Sequence, residues 1–191
     1  MNYGLFHAIN SLTGNSTLDG VMKAAARYLI FLVFLAAAIP CLRRLLRRDL
    51  RPLVLTGAAL LLTFLIGLVE AALHAEKRPF QTHHVHQLIA HAPGQSFPSD
   101  HATAAFGVAA AVAVFISRPW GIALAVLALW IGFARVYDGI HYPLDIAGGM
   151  LAAAVGVAAA FTADWWSRRG RRDRRNRIVD VSDLAPSPDG R

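Results

Sequence analysis

Apolar residues run along this chain in long stretches, and the charges are confined to the short segments between them. A run of about 20 apolar residues is long enough to cross a hydrocarbon core of about 30 Å as a helix. Within residues 1–20, Leu5, Ile9 and Leu12 fall at helical spacing, which predicts a short helix in the membrane interface and then a turn. The apolar runs predict spans over about 21–42, 52–73, 100–117, 120–137 and 144–166. Pro52 suits the first turn of the second span, and Ser117-Arg118-Pro119 breaks the chain between the third and the fourth. Spans two and three are separated by a polar segment, 74–99, with Lys77-Arg78-Pro79-Phe80, five of the eight histidines and Pro93-Gly94. Residues 167–191 become Arg-rich and then rich in Asp, Ser and Pro, which predicts a basic, disordered tail. The pattern has no internal repeat. It predicts an all-α, polytopic transmembrane helix bundle of about five spans plus an N-terminal interfacial helix, one membrane-embedded domain over 1–166.

Composition agrees: 55% of the 191 residues are hydrophobic and 16% are charged. A net charge of +7 raises nucleic acid as a partner. The arginines, however, flank apolar runs, as topology signals do, so the expected partner is the bilayer and not nucleic acid. The lone Cys41 excludes an intramolecular disulfide and a cysteine-based metal site. Residues 1–20 lack the basic and compact apolar regions of a cleavable signal, so the first span is expected to be retained.

Lysine and arginine counts predict orientation. Arg43, Arg44, Arg47, Arg48 and Arg51 follow span one, Arg118 follows span three, and Arg168, Arg169, Arg171, Arg172, Arg174, Arg175, Arg177 and Arg191 lie in the tail. The opposite loops hold Lys77 and Arg78, with Lys23, Arg27 and Arg135 at nearby span ends. The positive-inside rule places the arginine-rich side in the cytoplasm and the N-terminus outside. Segments 74–101 and 135–145 then share the outer face of a bacterial-type cytoplasmic membrane.

Three clusters on that face carry chemistry: Lys77-Arg78-Pro79, Pro98-Ser99-Asp100-His101, and Arg135, His141 and Asp145. Ser99 and Asp100 are good N-cap residues, and a helix start offers free N–H groups to an anion. His101 falls in that first turn. Arg78 and Arg135 are permanently charged forks that match phosphate oxygens. His141 and Asp145 are four apart near a helix start marked by Pro143, so a helical turn puts them on one face. A carboxylate beside an imidazole fixes its tautomer and stabilises positive charge on it. Two histidines, two arginines and an aspartate suffice for metal-free phosphoryl transfer: one histidine attacks, the other protonates the leaving oxygen, and the arginines hold the oxygens. Singly, each residue has a plainer reading: solvated histidine, topology arginine, capping aspartate. Their convergence at a membrane edge, where ionisable groups are costly, favours a site.

These motifs resemble the type-2 phosphatidic acid phosphatase superfamily, whose pattern is Lys-x6-Arg-Pro, Pro-Ser-Gly-His and Ser-Arg-x5-His-x3-Asp. The chain reads Lys77-Arg78-Pro79, Pro98-Ser99-Asp100-His101 and Ala134-Arg135-x5-His141-x3-Asp145. Ala71 stands where the family lysine belongs, Asp100 replaces its glycine and Ala134 its serine. The wording is similar to the bacitracin-resistance type of undecaprenyl-diphosphate phosphatase. The resemblance implies His141 as nucleophile forming a phosphohistidine, His101 as general acid and Asp145 as the partner of His141. It implies phosphate binding by Arg78, Ser99, Asp100 and Arg135, with Lys77 partly replacing the missing lysine, and no cofactor. The implied substrate is undecaprenyl diphosphate. Phosphatidic acid, phosphatidylglycerophosphate and lipid A phosphates are alternatives served by the same residues.

Glu70, near the outer end of span two, is either functional or paired with Lys77 or Arg78. Asp138 is expected to orient an arginine. His74, His83, His84, His86 and His91 read as solvated rather than as a metal site. A transporter is disfavoured because the ionisable residues cluster at one end instead of forming a path.

Overall fold

The computed structural model describes residues 2–183, and their side chains as far as residue 171. Among the described residues, seven α-helices follow one another: α1 (Asn2–Asn10), α2 (Ser16–Leu46), α3 (Leu50–Leu73), α4 (Pro79–Thr82), α5 (Asp100–Ala111), α6 (Arg118–Tyr137) and α7 (Pro143–Asp183). A π-helical turn, Val112–Ile116, extends α5. Four helices among the described residues are long and apolar enough to cross a membrane: α2, α3, α6 and the Pro143–Arg171 part of α7. The shorter fifth, Asp100–Ile116, measures about 25 Å at the usual helical rise.

The first span starts earlier than its hydropathy predicts. Asn15 caps α2, its Oδ1 accepting from the backbone N–H groups of Thr17 and Leu18 at 3.1 Å each, so the helix begins at Ser16. The interfacial helix is correspondingly short. At the other end α7 continues to Asp183, so 167–183 are helical where a disordered tail was expected. An Arg168–Asp164 ion pair of 3.0 Å, one turn apart, supports its start. Residues 184–191 lie outside the described residues.

Most apolar residues of α5 are buried, whichever way they point, because it packs against α2, α3, α6 and α7. Ala102, Ala105, Phe106, Val108 and Ala109 meet Ile30 and Val33 of α2, Leu124, Ala128 and Ile131 of α6 and Ala153 of α7. The outer helices instead leave Phe31, Leu35, Phe64, Leu68 and Leu151 exposed, a surface suited to lipid rather than water.

The helices alternate in direction, and polar contacts mark both ends. At one, Arg44 bonds Asp49 (2.7 Å) and the Ile116 carbonyl (2.9 Å), and Arg51 pairs with Asp164. At the other, the start of α2 meets the end of α6, where the Tyr137 hydroxyl donates to Asp19 at 2.7 Å. The three sequence clusters lie at this second end.

Close helix approach depends on small residues. A Cβ on Gly156 of α7 would lie 2.5 Å from the backbone N of Thr63 in α3, whereas one on Gly57 of α3 meets nothing within 4 Å. Gly156→Ala is therefore expected to destabilise the bundle by about 1–3 kcal/mol through overpacking. Gly57→Ala should be neutral, or stabilising by up to about 1 kcal/mol. Thermal unfolding in detergent checks the pair, and equal effects would contradict this packing.

Candidate active site

Helix α7 begins at Pro143, and its first turn organises the site. The Asp145 Oδ2 accepts the Tyr142 backbone N–H at 2.7 Å, so the carboxylate reaches back over the helix start. The same oxygen takes the His141 Nδ1–H at 3.1 Å. The Ser96 hydroxyl donates to it as well, and its Oγ lies 3.4 Å from His141 Nδ1. The backbone carbonyl of Asp145 accepts the Ser99 N–H at 3.0 Å, tying the start of α5 to the start of α7. Ser96, Asp145 and His141 are at most 1% exposed.

Two arginines close on the other side of the ring. Arg78 Nη1 lies 3.0 Å from His141 Nε2 and donates to the Ile140 carbonyl at 3.2 Å. Arg135 Nη2, from the last turn of α6, lies 3.3 Å from the same Nε2. A guanidinium N–H can only donate, so Nε2 is an acceptor and the ring proton sits on Nδ1, facing Asp145. The imidazole is held as the tautomer whose free lone pair is on Nε2. Arg78 Nε, Arg135 Nε and the Ser99 hydroxyl are buried and have no hydrogen-bond partner. Unsatisfied buried donors beside a lone pair make a site for an anion.

Burial, the largest influence, pushes the His141 pKa down to about 4. The Asp145 bond opposes that shift, and Arg135 and Arg78 add to it. Burial likewise lowers the Arg78 pKa, with Asp100 and Asp145 opposing. His101 is half-buried in the first turn of α5, within electrostatic range of Arg135, His91 and Arg78. Asp100 is exposed on the same turn.

The structure thus brings Arg78, Ser99, His101, Arg135, His141 and Asp145 together, with Asp100 at the rim. It does not bring in Lys77, which is exposed and whose backbone bridges Gln95. Arg78 has extended backbone angles (φ −64°, ψ 152°), and neighbours in an extended segment project to opposite sides. Glu70 pairs with neither Lys77 nor Arg78 among the described residues, and one of its buried oxygens has no partner. Asp138 is fully buried and hydrogen-bonds neither arginine. Burial raises its pKa to about 7, with Arg135, Lys23 and Arg27 opposing and Asp19 adding to the rise.

Sequence reasoning passed over Ser96 because nothing distinguishes a lone serine in a polar loop. The loop histidines are dispersed: His74 lies 3.7 Å from Glu76, His83 stacks on Tyr3 with ring centres 4.1 Å apart, and the His86 backbone bonds Asn10.

Residues 52–169 match the family model of the PAP2 superfamily. The chain belongs to that superfamily. This PAP2 chain is 38% identical to undecaprenyl-diphosphatase BcrC of Bacillus subtilis, over 81% of its own length and 80% of the relative's. It is 35% identical to the putative undecaprenyl-diphosphatase YbjG of Escherichia coli, over 84% and 81% of the two chains. The crystal structure of Aquifex aeolicus LpxE has a similar fold, with a TM-score of 0.68, 24% identity and coverage of 84% and 94%. Like these relatives in fold, it is a multi-pass membrane protein.

The His141 environment has a pH consequence. The unfolded ring takes up a proton near pH 6.5 and the folded one only near 4. Between those values the unfolded state binds more protons, so stability falls as pH falls through that window. Histidine NMR in detergent should show His141 neutral at pH 5.5, and a midpoint at or above 6.5 would contradict this environment.

Proposed function

We propose that this membrane lipid phosphatase hydrolyses undecaprenyl diphosphate to undecaprenyl phosphate at the outer face of the cytoplasmic membrane, through a phosphohistidine on His141. The observation that carries the chemistry is the His141 Nε2 lone pair, fixed by Asp145 and faced by two buried arginines with unsatisfied Nε–H groups. The substrate rests on the two relatives named for that diphosphate, each matched over most of its length.

In the first step Nε2 attacks the terminal phosphorus, and the bond from that phosphorus to the bridging oxygen breaks. His101 delivers a proton to the departing oxygen, and undecaprenyl phosphate leaves. Arg78, Arg135, Ser99 and the N–H groups at the start of α5 hold the equatorial oxygens, with Asp100 at the rim of that cradle. Asp145 stabilises the positive charge that builds on the ring. In the second step His101 takes a proton from water, which attacks the phosphohistidine. Inorganic phosphate departs and His141 is restored. A His141 that resists protonation keeps its lone pair available at neutral pH. Lys77 has no part in this scheme.

The outer-face assignment rests on charge. The end of the bundle opposite the site carries the arginine-rich segment 43–51, Arg118, Arg168, Arg169 and Arg171. A cysteine at exposed Lys77 should react with an impermeant maleimide added to intact cells, and one at Arg47 should not. The reverse pattern would overturn the orientation.

Phosphate release should be measured from undecaprenyl diphosphate, phosphatidic acid and phosphatidylglycerophosphate, with chelator present. Release should be fastest on the diphosphate and fall at least about 10³-fold in His141→Ala. Release that persists in the variant, or vanishes with chelator, would overturn the histidine mechanism. A preference for either phospholipid would overturn the substrate.

A further inference from the structure

The segment from Ile89 to Gly94 runs beside the site, and both of its ends are pinned to the arginine-bearing elements. At one end Ile89 is buried against Ala25, Ala26 and Ala134, the last being the residue before Arg135. Just ahead of it, the Leu88 N–H bonds the Asp138 carbonyl at 3.2 Å. At the other end the Gln81 side-chain oxygen accepts from the N–H of Gly94 and from the N–H of Arg78, each at 3.1 Å. Between these anchors sits His91. It is half-buried and lies within electrostatic range of Arg78, Arg135, Asp100 and His101.

The His91 ring has one defined nitrogen. Its Nδ1 lies 3.1 Å from the Ala92 carbonyl oxygen, which can only accept, so Nδ1 carries a proton. Nε2 has no protein partner among the described residues. The mechanism above uses neither atom. Burial holds the ring's pKa below its ordinary value, with Arg78 and Arg135 adding to the shift and the Ala92 bond and Asp100 opposing it. With its proton on Nδ1 the ring offers Nε2 as an acceptor, and a nearby phosphate would draw a proton onto Nε2 and make it a charged donor.

The charge inventory indicates what such a donor serves. Arg78 and Arg135 both converge on His141 Nε2, where the phosphorus under attack must sit. A diphosphate brings a second phosphate, the one that remains on the lipid. Position 71 is alanine and Lys77 faces away, so neither supplies a cation for it. We propose that His91 is the specificity-determining residue of this site, its Nε2 holding the phosphate that stays on the lipid when a diphosphate is cleaved. This rests on the diphosphatase reading above. The bond broken is still the one between the terminal phosphorus and the bridging oxygen, and the proton still comes from His101. His91 binds the leaving group and takes no part in bond making.

The test compares kcat/KM for undecaprenyl diphosphate with kcat/KM for phosphatidic acid, in wild type, His91→Ala and His91→Lys. In His91→Ala the diphosphate-to-monophosphate ratio should fall about tenfold or more, chiefly through KM on the diphosphate. His91→Lys keeps a cation at the position and should hold the ratio within about threefold of wild type. Equal losses on both substrates in His91→Ala, or a lysine variant whose ratio falls as far as the alanine variant's, would overturn the proposal. So would an unchanged ratio in a wild type active on both lipids, which leaves the diphosphatase reading standing. A wild type that cleaves only the monophosphate would overturn the diphosphatase reading and this inference together.

Discussion

Burying a carboxylate costs several kcal/mol even after the protein relaxes around it, and the charge persists only where donors replace the lost water. Asp145 meets that condition with one oxygen. Oδ2 gathers the Tyr142 backbone N–H, the His141 ring N–H and the Ser96 hydroxyl. The three come from a helix start, the residue just before it and a distant loop. The Asp145 backbone carbonyl meanwhile holds the N-cap of α5. Removing the carboxylate would release the ring tautomer and the loop at once, while the backbone bond to α5 would remain. Arg78 and Arg135 balance its charge without bonding it, which leaves their forks directed at the imidazole.

Such a junction needs two helix starts within hydrogen-bond reach, and small residues permit it. A Cβ on Gly149 of α7 would lie 2.6 Å from the Thr103 backbone N of α5, and one on Gly148 would strike the Phe97 ring. Further down, Gly156 sits against Thr63. In hydrocarbon, where burying apolar surface gives little drive for association, close packing of this kind is a main source of helix affinity. The same glycines that hold the bundle together set the distance between Ser99 and Asp145. Stability and site geometry therefore share residues near this end of α7.

Much of this was legible in the sequence because its causes are one-dimensional. Span length follows from bilayer thickness, and the His141 to Asp145 spacing follows from the helical repeat. What failed depended on direction or on local bonds. Lys77 reads as a neighbour of Arg78, yet an extended backbone turns adjacent side chains apart. Ser96 carries no pattern, because its role exists only once α7 brings Asp145 to the loop. Asn15 moves the start of α2 by satisfying N–H groups that hydropathy does not count. Glu70 and Asp138 look like partners for nearby cations, but among the described residues neither hydrogen-bonds one, Glu70 from within α3 and Asp138 from the cap of α6.

Both arginine forks lie on the one atom of His141 that has a lone pair to give. A lone pair already accepting hydrogen bonds is a weak nucleophile, so these arginine contacts keep Nε2 chemically quiet. The guanidinium N–H groups cannot serve the ring and a phosphate at once, and a dianion is much the stronger acceptor. On the proposed mechanism, an arriving phosphate would draw the donors onto its own oxygens and uncover the nitrogen proposed to attack it. A neutral ester reaching the same pocket lacks the charge to do so. On that mechanism reactivity would be licensed by the charge of the guest, and a histidine that stays unprotonated near neutral pH would remain guarded against adventitious electrophiles.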